Sequence, residues 1–189
     1  INFTSIFPEG LYAGNGILRQ AYNESAAQWP AGVADHVTVE LHEASNYGSI
    51  IYTASDIELS ISGSASIIVP ASYNDTYYIT IKHRNSLQIV SASPVLFVGN
   101  TIAKSFGTAA DVLGGNLKQM SDFGYALYGG DVNQDGFVNL QDMIAVESDV
   151  SVFSSGYLQA DCNGDGTVDS SDLILIDNNA SYFIGAITP

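Results

Sequence analysis

The sequence predicts a mainly β protein: an antiparallel β-sandwich over residues 1–128, followed by a small unit of two loop–helix repeats over residues 129–189. Three observations point there. In "HVTVELHEA", Val37, Val39 and Leu41 fall on one side of an extended chain and His36, Thr38, Glu40 and His42 on the other, the period of a half-buried strand. Similar runs return between Gly, Asn, Ser and Pro turns, the rhythm of a sandwich and not of alternating strands and helices. Near the C-terminus, "GDVNQDGFVNLQD" from Gly130 is echoed as "ADCNGDGTVDSSD" from Ala160.

In chain order, "INFTSIF" opens with Ile1, Phe3 and Phe7 on a period of two before the "PEG" turn. After the alternating "HVTVELHEA" come "SIIYTASDIELSI", "SASIIVP", "TYYITIKHR", "SLQIVSA", "PVLFVG" and "IAKSFG". "KQMSDFGYALYGG" reads as a last strand leading into the repeats, with almost no linker at Leu127–Gly130. Seven or eight short strands in this order suggest an Ig-like architecture. The Cys–Trp–Cys hallmark is missing, because Cys162 is the sole cysteine and Trp29 the sole tryptophan.

Composition narrows the partners. Of 189 residues, 46% are hydrophobic and 13% charged, a globular balance. There are 20 Asp and Glu against 5 Lys and Arg, a net charge of −15, and no Lys or Arg follows Lys118. Such a field repels phosphate backbones and attracts cations, so nucleic acid is not an expected partner. No apolar run reaches membrane-spanning length. The lone Cys162 makes no intrachain disulfide and is expected to be a bystander in its loop. A first residue of Ile fits a processed or partial chain.

The echoed stretches have the register of a twelve-residue calcium loop, with ligands at positions 1, 3, 5, 7, 9 and 12 and a glycine bend at 6. The first copy supplies Asp131, Asn133, Asp135, the Phe137 carbonyl, Asn139 and Asp142, with Gly136 at the bend. The second supplies Asp161, Asn163, Asp165, the Thr167 carbonyl, Asp169 and Asp172, with Gly166 at the bend. An all-oxygen set rich in carboxylates selects a hard cation, and the large flexible shell selects Ca²⁺ over Mg²⁺. Val138 and Val168 sit at position 8, where paired loops commonly exchange a short strand contact, and a helix is expected after each loop. Glu147 with Asp177, Ser151 with Ser181 and Phe153 with Phe183 extend the correspondence, so a thirty-residue unit is duplicated.

On those residues the C-terminal third resembles the type I dockerin repeat, D-x-N-x-D-G-x-x-[ND]-x-x-D twice, with Asp in the last position and a helix after each loop. The resemblance implies two bound Ca²⁺ ions, two units packed about a pseudo-twofold axis, and a cohesin partner gripped through a Ser-Thr pair before the last ligand. This chain has Ser170-Ser171 there in the second copy and Leu140-Gln141 in the first. "VTVELHEAS", "YYITIKHRNS" and "GGDVNQDG" resemble a module in the C-terminal parts of secreted Bacteroidetes proteins, which implies an extracellular, cell-surface location.

Other constellations stay open at this level. His36, Glu40 and His42 share a strand face that either holds a metal or is solvated. Lys82, His83 and Arg84 form the only basic cluster, which either docks the acidic repeats or a neighbouring subunit, or ends a strand in solvent. Eleven tyrosines and Trp29 either pack on strands or line a polysaccharide-binding face. Asn2, Asn23, Asn74 and Asn179 begin N-x-[ST] triplets. No nucleophile–base arrangement, phosphate loop or zinc motif appears, so no enzyme is expected. The expectation is a non-catalytic, calcium-stabilised extracellular structural protein. It would be a homo-oligomer assembled by β-strand pairing into a surface assembly or filament, with residues 1–7 either self-paired or donated to a neighbour. The alternative is a carbohydrate-binding or dockerin-type targeting module of a secreted enzyme.

Overall fold

The computed structural model describes residues 1–99 and 101–189. The chain opens with β1 (Asn2–Thr4) and two small hairpins, β2 (Tyr12–Gly14) with β3 (Ile17–Leu18) and β4 (Tyr22–Asn23) with β5 (Ala26–Ala27). Two long strands follow, β6 (Val33–Glu43) and β7 (Asn46–Ser60), then β8 (Ala65–Ser66), β9 (Thr76–His83), β10 (Ser86–Val90), β11 (Val95–Leu96) and β12 (Ala103–Ser105). A hairpin of β13 (Lys118–Gln119) and β14 (Tyr125–Ala126) closes the β part, and helices α1 (Leu140–Ser151) and α2 (Ser170–Ala180) complete the chain.

The main sheet runs β10-β9-β6-β7, with β11 also on β9, and all its pairings are antiparallel. Val37, Val39 and Leu41 of β6 are buried together with Ile79 and Ile81 of β9, as their alternation predicts. The second layer is the three-stranded sheet β12-β1-β8, whose Phe3 packs on Phe106 with ring centroids 6.2 Å apart. β1 pairs antiparallel with β8 but parallel with β12, so the sandwich is mixed in this layer. A parallel pair needs a crossover, and here the crossover is the whole main sheet.

The N-terminal strand is paired within its own chain. Its period of two stops at Ser5, whose φ of 61° is left-handed, so Ile6 is fully buried beside Phe3 and Phe7. The segment 118–130 is a hairpin turning through Phe123 at φ 65°, not a single strand.

The repeat unit has a small core of its own, built from Val132, Val138, Val146, Ala160, Cys162, Val168 and Ile176. One member comes from the β part: Leu87 of β10. A register shift between Ser86 and Ile89 turns Leu87 out of the sandwich core, while Ile89, two residues on, stays in it. Re-aiming a side chain in this way is what a bulge does. The two parts also touch at Gly10, where an added Cβ would lie 1.8 Å from the Cys162 carbonyl oxygen. Gly10→Ala should therefore cost about 1–3 kcal/mol in a thermal melt, the range of an overpacked core. Gly48→Ala, whose Cβ meets nothing closer than 3.4 Å, should be near neutral.

Candidate metal centre

Both loops fold as their spacing dictates. Gly136 and Gly166 take φ of 86° and 87°, a left-handed bend that a side chain would strain. Asn133 Oδ1 accepts from the Asp135 N–H at 2.8 Å, and Asp135 Oδ1 from the Phe137 N–H at 2.9 Å. The second loop repeats this with Asn163 to Asp165 at 2.8 Å and Asp165 to Thr167 at 3.0 Å. Asn139 and Asp169 cap their helices, each accepting a backbone N–H at 2.7 Å from Gln141 and Ser171. Asp142 and Asp172 complete the capping boxes, taking the N–H of Asn139 and Asp169 at 2.9 Å. Their other oxygens reach back across the loop, Asp142 to the N–H of Val132 at 2.8 Å and Asp172 to that of Asn163 at 2.9 Å. The side chains at positions 3, 5, 9 and 12 of both copies thus hold their loops closed through backbone N–H groups.

The carboxylates lean on backbone amides rather than converging on one point. Among the described residues no three His, Cys, Asp or Glu side chains form a ready-made chelate. What fits a cation is the state of the first ligands. Asp131 is buried, and its Oδ1 has no hydrogen-bond partner. Burial, and then the charges of Asp142 and Asp135, push its pKa up to about 7. Burial raises Asp161 to about 6 against the opposing charge of Arg84, and burial raises Asp172 as well. Two buried acidic clusters, the first without a cation beside it and the second with Arg84 alone, are what a divalent cation would relieve.

The loops differ in what covers them. Positions 4 and 6 are buried in the second copy, Gly164 against Leu11 and Gly166 against Glu24, whereas Gln134 is exposed in the first. The second loop is also held by the β part. Arg84 Nη1 donates to the carbonyls of Leu158 and of Asp161, the latter at 2.8 Å, and Nη2 lies 3.9 Å from Asp161 Oδ2. Asn85 Nδ2 donates to the carbonyls of Gln159 and Asp161 at 3.2 and 2.8 Å. Arg19 donates to the Asn163 carbonyl at 3.3 Å.

Behind Arg84 sits Asp35, fully buried. It accepts from Arg84 Nε at 3.1 Å, His83 Nε2 at 3.1 Å, Trp29 Nε1 at 3.3 Å and the Tyr157 hydroxyl. Burial alone would raise its pKa, but the hydrogen bond and charge of His83 and the charge of Arg84 outweigh it and hold the carboxyl well below the usual range. The Arg84 guanidinium also stacks 4.6 Å over the Tyr157 ring. The basic cluster therefore docks the repeats through Arg84, while Lys82 pairs with Glu40 at 2.8 Å.

The two contact sites of the expected position-8 exchange are elsewhere. Val138 bonds to the Ile184 carbonyl and Val168 to the Ser154 carbonyl, both at 3.0 Å, so each loop pairs with the segment after a helix and not with the other loop. The face of His36, Glu40 and His42 is largely covered, and among the described residues the three form no metal-holding group. Glu40 and His42 are buried and 3.3 Å apart, His42 stacks on Tyr47 at 4.1 Å, and His36 on Trp29 at 3.7 Å. One face of the Trp29 ring is thereby covered. Cys162 is buried, and burial raises its thiol pKa strongly, consistent with a bystander. Asn179 is wholly buried, which removes it from the glycosylation triplets.

Residues 129–181 match the profile of the Dockerin type I domain. No curated protein matches the chain. Among solved structures, the chain is similar to one from a C-terminal interface mutant of a type II Cohesin-X-Dockerin complex of Acetivibrio cellulolyticus. That match has 18% identity and a TM-score of 0.50, and covers 96% of this chain and 99% of that one. An N-terminal interface mutant of the same complex aligns at 19% identity and a TM-score of 0.45, covering 86% and 97%. The shared feature at 18% identity is the fold, a β-rich part joined to a two-helix unit. In its duplicated loops, capped helices and matched profile, the segment 129–181 is thus similar to the Dockerin type I domain, a kind of domain that typically binds calcium.

Proposed function

We propose that this chain is a non-catalytic assembly module. Its dockerin unit, clamped by two Ca²⁺ ions, captures a cohesin-like protein outside the cell, and the β part serves as a rigid base. The observation that carries this reading is the outward face of the duplicated helices. Leu140 and Ile144 of α1 are 66% and 55% exposed one turn apart, and Ile174 of α2, at the place of Ile144, is 60% exposed. Large apolar side chains on a soluble surface that line up along one helix mark a contact site. Leu140-Gln141, where the family carries Ser-Thr, then selects a partner with a more apolar recess.

Dockerin modules typically belong to extracellular or cell-surface proteins, and among the described residues no helix is long and apolar enough to cross a membrane.

The test is binding of the chain to immobilised cohesins, with calcium and with chelator. Calcium-dependent capture is expected, weakened at least about tenfold by Leu140→Asp with Ile144→Asp, since a central apolar anchor contributes more than about 1.4 kcal/mol. Failure to bind any cohesin overturns the reading. Self-association remains a second reading because Phe153 and Phe183, equivalent positions after the two helices, are 89% and 93% exposed. With β1 paired inside its own chain, those rings and not the first seven residues would carry it. Light scattering of Phe153→Ser with Phe183→Ser against the parent separates the two.

A further inference from the structure

Glu9, Lys118 and Asn179 meet where the end of α2 rests on the β part, in a geometry that calcium binding does not use. Lys118 Nζ donates to Asn179 Oδ1 at 2.8 Å and to Glu9 Oε1. Asn179 Nδ2 donates to Glu9 Oε2 at 2.6 Å and to the Gly129 carbonyl at 2.8 Å. Glu9 Oε2 also accepts the Gly129 N–H at 3.0 Å. One carboxylate thus bridges an amine and the nitrogen of an amide, while the amine already touches that amide's oxygen. Asn179 is wholly buried, and the side chains of Glu9 and Lys118 are 10% and 26% exposed.

The duplicated unit supplies an internal comparison. The equivalent of Asn179 in α1 is Asp149, which is half-buried and bonds its own loop through the Ser154 hydroxyl at 2.8 Å. Only in the second copy does an amide stand at this position, and only there do a lysine and a glutamate from the β part reach it.

We propose that Lys118 and Asn179 condense into an intramolecular isopeptide bond, with Glu9 carrying the protons, so that the dockerin unit is covalently riveted to the β part. The Glu9 carboxylate takes a proton from the Lys118 ammonium. The freed lone pair of Nζ forms a bond to Asn179 Cγ, and the carbonyl π electrons move to Oδ1. Glu9 returns its proton to Nδ2, the Cγ–Nδ2 bond breaks as the carbonyl re-forms, and ammonia leaves. A second proton lost from Nζ through Glu9 leaves with the ammonia or to water, and the carboxylate is restored. The sum is one amine plus one primary amide giving one secondary amide and ammonia, with no oxidant or cofactor. Holding the groups in contact supplies the effective concentration that an amide otherwise lacks, and one group serving as base and then acid is ordinary proton-transfer catalysis. Burial excludes the water that would compete.

The test is the intact mass of the full chain, folded, incubated and then denatured. The expected mass is lighter than the sequence by one ammonia, with a branched peptide joining the segments of Lys118 and Asn179 in a digest. Lys118→Arg keeps the cation but should show the full sequence mass, as should Glu9→Gln. Asn179→Asp should condense with loss of water instead and give a product of the same mass as the parent's. If the first two variants do not fold, the parent and Asn179→Asp decide alone. A parent at full sequence mass, or one that has lost ammonia without the branched peptide, overturns the proposal.

Discussion

Removing calcium from the full chain near neutral pH should lower its Tm by roughly 10–20 °C. Each loop filled at about 100 times its dissociation constant contributes about 2.7 kcal/mol, and a chain of this size loses roughly 2–4 °C per kcal/mol. The cause is visible in the loops: Asp131 has a buried oxygen without a partner, and Asp131 and Asp161 are pushed up to about 7 and 6. These folded pKa values lie above the unfolded ones, so the metal-free protein should gain stability as pH falls from about 7 towards about 4, where both carboxyls take up protons. With calcium present the trend should reverse, because protons then compete for the ligands. Melts in metal-free and calcium buffers across that range check both signs. A metal-free curve that rises with pH would contradict the account of the loops.

Asp35→Ala should destabilise the chain by about 3–5 kcal/mol, the cost of breaking a buried ion pair from one side. The variant leaves Arg84 and His83 buried without their shared anion and takes the acceptor from Trp29 and Tyr157. Because the folded carboxyl lies below its unfolded pKa, the stability it contributes is present above about pH 4 and lost as pH falls below that. Denaturant melts near neutral pH should show the full difference between parent and variant, shrinking in acid. Since Arg84 also holds the Leu158 and Asp161 carbonyls, the variant should loosen the second repeat loop before the first, readable as faster amide exchange at Gly164 and Gly166.

What the sequence made legible is local. Alternation at Val37, Val39 and Leu41 and ligands spaced within twelve residues are both set by the pitch of a short piece of chain. The helices were legible because Asn139 with Asp142, and Asp169 with Asp172, write their own caps. What joins the two parts was not, because its members are far apart: Asp35 with Tyr157, Glu9 with Asn179, Arg19 with Asn163. The one available signal was scarcity, since five cations in a chain of net charge −15 must each find carboxylates or carbonyls. Arg84 answered to that signal and Lys118 went unnoticed. The position-8 contacts were misplaced because they depend on how the helices return, which no twelve-residue pattern records. Leu87 misleads for a related reason, as a bulge at Ser86–Ile89 breaks the alternation by which a strand's core face is read.

The placement of Leu87 limits how this protein can be recombined. A cut at Tyr128 would hand the downstream fragment a hollow where that leucine stood and leave the upstream fragment with an oily knob in water. Grafting a foreign repeat pair onto this base, or this pair onto another, would require Leu87, Arg84 and Gly10 to travel with it, so the true seam for shuffling follows a contact surface and not a point along the chain.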